Sequence, residues 1–97
     1  MTKNKQYCKD IAIELETANL YEYFEDALDI EYRISIDMEY KSVSIMIAYG
    51  GPSIYIDTDS KQVELYWWGD EEVYPIKQKV CDEIDEIFEE YYLASKA

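Results

Sequence analysis

The chain has 97 residues, with 22 acidic side chains against 9 basic ones and a formal net charge of −13. Apolar residues make up 48%, so it carries the core formers that a disordered acidic tail lacks, and its length suits one domain, 1–97, with frayed ends at 1–4 and 94–97. The acidity opposes contact with phosphate backbones or anionic membranes, the absence of His removes His-based triads and ligands, and two Cys cannot make a four-thiolate zinc site.

The start Met1-Thr2-Lys3-Asn4-Lys5 is polar and shows no secretory pattern. Ile11, Leu15 and Ala18 then fall at helical spacing. Asn19 followed by Glu22 has the form of a capping box, and Leu20, Tyr21, Phe24, Ala27 and Leu28 continue an apolar stripe. This predicts a helix over 4–28, broken or kinked near 18–19.

From Ile30 the period becomes two. Ile30, Tyr32, Ile34, Ile36 and Met38 alternate with polar residues, which predicts a half-buried strand ended by a turn at 39–41. Val43, Ile45, Ile47 and Tyr49 predict a second strand, closed by Gly50-Gly51-Pro52. Ile54 and Ile56 predict a short third strand, and 57–61 a turn. Val63, Leu65 and Trp67 predict a fourth, stopped at Gly69-Asp70.

Pro75 suits a first helical turn, and Ile76, Val80, Ile84, Ile87, Phe88 and Tyr91 follow one face of a helix over 75–93. The expectation is an α+β fold of order α-β-β-β-β-α. A four-stranded antiparallel meander sheet is flanked by N-terminal and C-terminal helices in two layers.

Charge is unevenly spread. Residues 10–39 carry ten acids against Arg33, and 70–90 carry nine against Lys77 and Lys79. Asp82, Glu83, Asp85, Glu86, Glu89 and Glu90 crowd one helix, where like charges repel and acids at the C-terminal end oppose the dipole. Such a face either keeps a small domain dissolved or imitates a phosphate array and attracts a groove lined with Lys and Arg. Glu22, Glu25, Asp26, Asp29 and Glu31 extend the array if the helices pack side by side.

On the second sheet face the alternation places Met46, Ala48, Tyr55, Tyr66 and Trp68. Tyr66 and Trp68 are of the types enriched at binding hot spots, unless the N-terminal helix, a loop or a homodimer covers them. Asp57-Thr58-Asp59-Ser60-Lys61 begins like a calcium loop, but Gln62 and Trp68 stand where Gly and Glu are needed, so it reads as a hairpin turn. No acid pair or nucleophile–base pattern stands out, and no cofactor is expected. Cys8 and Cys81 read as core thiols. No apolar run approaches the roughly 20 residues of a membrane span, which points to the cytoplasm.

Size, acidity, tyrosine content and the blocks Asp10–Glu39 and Asp70–Glu90 together resemble the small acidic inhibitors of phages and mobile elements, of anti-CRISPR or anti-restriction, DNA-mimic type. The resemblance implies a non-enzymatic inhibitor acting in the host cytoplasm on a basic nucleic-acid-binding protein, such as a CRISPR effector. Glu22, Glu25, Asp26, Asp29, Tyr66, Trp68, Asp82, Glu83, Asp85, Glu86, Glu89 and Glu90 are then the candidate contact residues. The other readings are an immunity protein against a basic nuclease toxin and a dimerising assembly module.

Overall fold

The computed structural model describes residues 1–96. Helix α1 spans Lys3–Thr17, its first turn capped by Thr2, whose hydroxyl accepts from the Lys5 N–H at 3.1 Å. Cys8, Ile11, Ala12 and Leu15 recur on one face and are buried. Ala18 is extended, and Asn19 caps the single turn α2, Leu20–Tyr23, by accepting from Glu22 N–H at 3.3 Å. The break expected near 18–19 is therefore present. The helical segment beyond the break is shorter than the sequence suggests, because Phe24 leaves the helix and packs edge-on against Phe88 with ring centroids 5.4 Å apart.

The sheet has five strands: β1 (Asp29–Ile34), β2 (Tyr40–Ala48), β3 (Ser53–Asp57), β4 (Gln62–Trp67) and β5 (Asp70–Pro75). They form one antiparallel meander in sequence order. The α+β plan with an antiparallel sheet between terminal helices holds, but the four-stranded expectation is corrected to five. At Trp68-Gly69 the chain reverses with φ of 53° and 83°, the two positive values of a tight hairpin turn, so it pairs again instead of stopping. Pro75 ends this edge strand opposite Gln62, and helix α3, Gln78–Lys96, begins later.

β1 also ends early. Met38 takes a φ of 65° and its N–H donates to the Ser35 carbonyl, so the turn occupies 35–39 and leaves Ile36 in solvent. β2 carries an extra residue at Lys41 and another at Ile47, the bulges that let its nine residues pair with shorter neighbours. The ends expected to fray are helical from Lys3 and up to Lys96; Ala97 lies outside the described residues.

Both terminal helices cover one sheet face. Val43, Ile45, Ile54, Ile56, Val63 and Leu65 form its apolar rows, each fully buried. Val80, Ile84, Ile87 and Phe88 close over them with the α1 face, and Tyr92, rather than Tyr91, continues the buried stripe. Cys8 and Cys81 are free and buried, as the sequence suggests. No helix is long and apolar enough to cross a membrane among the described residues.

Candidate partner-binding surfaces

The candidate residues divide between two sides of the molecule. On the helix layer, Asp82, Glu83, Glu86, Glu89 and Glu90 are exposed along α3. Tyr21 of α2 meets Tyr91 of α3 edge-on at 6.5 Å, and a hollow at this seam is lined by Leu20, Tyr21, Glu83 and Glu86. The turn that bears Glu22 thus lies against the part of α3 that bears Glu83 and Glu86. Glu25 and Asp26 are exposed in the turn after it.

Asp85 stands apart from its neighbours. It is half-buried and accepts from the Tyr40 hydroxyl at 2.7 Å, tying α3 to β2. Burial first, and then donation to Asp85, push the Tyr40 phenol above its ordinary value. Asp85 therefore serves the fold. Among the described residues only two ion pairs form, Arg33–Asp57 and Lys77–Glu16, and neither uses a carboxylate of residues 82–90.

The other side is the uncovered sheet face. Asp29 pairs with Met46, Met46 with Tyr55 and Tyr55 with Glu64, so these side chains form one row. The Tyr55 and Tyr66 rings meet edge-on at 5.9 Å. Of the five residues expected here, Met46, Tyr55 and Tyr66 share the face. The bulge at Ile47 returns Ala48 to the core side, opposite Ile54. Trp68 belongs to neither face: it sits at the hairpin tip, 91% exposed, over a hollow of about 380 Å³ that Tyr49 and Tyr66 also line. Asp29 and Tyr66 are thus separated from the helix-layer acids by the sheet, and Trp68 lies at the hairpin tip.

A polar clamp crosses this face. Arg33 on β1 reaches over Ser42 of β2 and donates to both carboxylate oxygens of Asp57 on β3, at 3.0 and 2.6 Å. Asp57 also accepts from the N–H groups of Asp59 and Ser60 at 2.8 and 3.1 Å. Burial alone raises the Asp57 carboxyl, but the guanidinium and the two N–H donors outweigh it and hold the group below its ordinary value. The run 57–61 is therefore a turn closed by its first carboxylate. Sequence reasoning missed the clamp; its one signal was Arg33, the lone base among residues 10–39.

No family model, no curated protein and no solved structure matches this chain.

Proposed function

We propose that the protein is a non-enzymatic inhibitor whose helix-layer carboxylates stand in for a phosphate array and occupy a basic nucleic-acid groove on a host defence protein. The observation that carries this reading is the run of exposed acids on α3, beside the turn α2 that bears Glu22, with no Lys or Arg within ion-pair distance of them among the described residues. Left unpaired, these charges cost helix stability, and their field reaches out to roughly 8 Å at physiological ionic strength. Such a field speeds encounter with a cationic groove and repels nucleic acid itself.

Tyr66 lies across the sheet from this array and Trp68 at the hairpin tip, so neither belongs to the acidic patch of α2 and α3. The reading therefore takes Glu22, Glu83, Glu86, Glu89 and Glu90 as the contact set and leaves Asp85 to its bond with Tyr40.

Affinity capture from host lysate at low and high salt, with mass spectrometry, tests it. A nucleic-acid-binding protein should be retained at low salt and lost at high salt. The Glu86→Lys/Glu90→Lys variant should bind it about tenfold more weakly or worse. Retention unchanged by these reversals overturns the mimic reading.

A further inference from the structure

The open edge of the sheet is β1, and its sequence is complementary to itself. Ile30-Glu31-Tyr32-Arg33-Ile34 pairs on one side with β2 and, among the described residues, has no strand on the other. Its apolar side chains are unusually bare for an edge: Ile30 and Ile34 are each 38% exposed, and Leu28 and Ile36 beyond its ends are 59% and 98% exposed. Exposed strand edges of this kind recruit another strand unless charge, proline or a covering element blocks them.

The opposite edge is blocked. β5 opens with Asp70, Glu71 and Glu72, ends at Pro75, and its Glu72 carbonyl accepts from the Cys8 thiol at 3.8 Å.

We infer that β1 pairs antiparallel with β1 of a second copy about a two-fold axis through Tyr32, joining two sheets into one of ten strands. That register sets Ile30 opposite Ile34 and Glu31 opposite Arg33 of the second copy, and by symmetry the reverse. Ile30, Tyr32 and Ile34 share the helix-side face, while Glu31 and Arg33 share the open one. Like therefore meets like on the helix-side face, while on the open face Glu31 stands opposite the Arg33 position, whose guanidinium is already held by Asp57 at 3.0 and 2.6 Å, so the charge match there acts at longer range. A one-residue slip puts Glu31 opposite Tyr32 or Ile34 and loses both matches. Because the contact is isologous, it closes at two copies.

Sedimentation equilibrium of the purified chain, across concentration and at two salt levels, tests this. A concentration-dependent dimer is expected, and it tightens with salt as repulsion between two copies of charge −13 is screened. That is the reverse of the salt dependence of groove binding, so the two proposals fail separately. Glu31→Arg changes two cross-strand pairs and should weaken the dimer about tenfold. Ile34→Lys should abolish it. Both positions are exposed, and circular dichroism checks that each variant folds. A monomer up to about 1 mM overturns the inference. So does growth beyond two copies, or a dimer indifferent to both substitutions.

Discussion

Arg33 and Asp57 lie on strands that are not neighbours, yet the Arg33 guanidinium donates to both Asp57 carboxylate oxygens across β2, with the shorter contact at 2.6 Å. The Asp57 side chain is nearly buried and Arg33 is partly open to solvent. Removing the acid leaves two turn N–H groups and the Arg33 guanidinium without their acceptor. Asp57→Ala should cost about 2 kcal/mol in urea unfolding at neutral pH. The folded carboxyl titrates below its ordinary 3.8. The unfolded chain thus takes up the proton first, and the stabilisation is complete above that value and fades as pH falls through the lowered one. The gap between wild type and Asp57→Ala should close in acid.

At the alkaline end the signs reverse. Burial pushes the Tyr23 phenol up to about 12 and the Cys81 thiol up to about 11, and Tyr40 is raised as well. These groups stay neutral in the fold beyond the pH at which the unfolded chain ionises. Their contribution is present below the ordinary values of 9.0 for the thiol and 10.0 for the phenols, and is lost as pH rises past the folded ones. Ultraviolet titration should show late-ionising tyrosines that become ordinary in denaturant.

Tyr40→Phe isolates one hydrogen bond. It removes the hydroxyl that donates to Asp85 at 2.7 Å and leaves a half-buried carboxylate without that donor. A loss of about 1–2 kcal/mol is expected in chemical denaturation. Tyr40→Phe combined with Asp85→Asn should lose less than the two single changes added together.

Glu90→Lys should do the opposite of most substitutions. The position is exposed on α3, where Glu86 stands one turn earlier. A lysine there replaces repulsion with attraction to Glu86. A gain of about 0.5 kcal/mol in thermal unfolding is expected, together with weaker capture of a basic partner. Loss of stability would mean that Glu90 has a role within the fold.

Trp68 is a second site held against local preference. Its φ of 53° is a conformation that costs an ordinary residue about 1 kcal/mol or more, and asparagine or glycine tolerates it. Trp68→Asn should therefore raise the melting temperature slightly. A fall would show that the indole packs on the hairpin more than its exposure indicates.

The amino-acid order carried the helix faces, the cap at Asn19 and the strands from Val43 to Trp67, because these arise from spacing and turn chemistry within a few residues. It did not reveal β5, since Gly69 reads as a stop until Trp68 is seen to share the positive φ that folds the chain back. Nor did it place Ala48, whose side depends on a bulge created by pairing β2 with a shorter strand. The acidic character was plain from counting, but which acids stand together was not. Packing sets Leu20 and Tyr21 of α2 beside Glu83 and Glu86 of α3, turns Asp85 inward to Tyr40, and leaves Tyr66 across the sheet. Local propensity acts over neighbouring residues, whereas the grouping of charges and the freedom of β1 to pair are set by contacts between residues far apart in the chain. Only the assembled layers decide those.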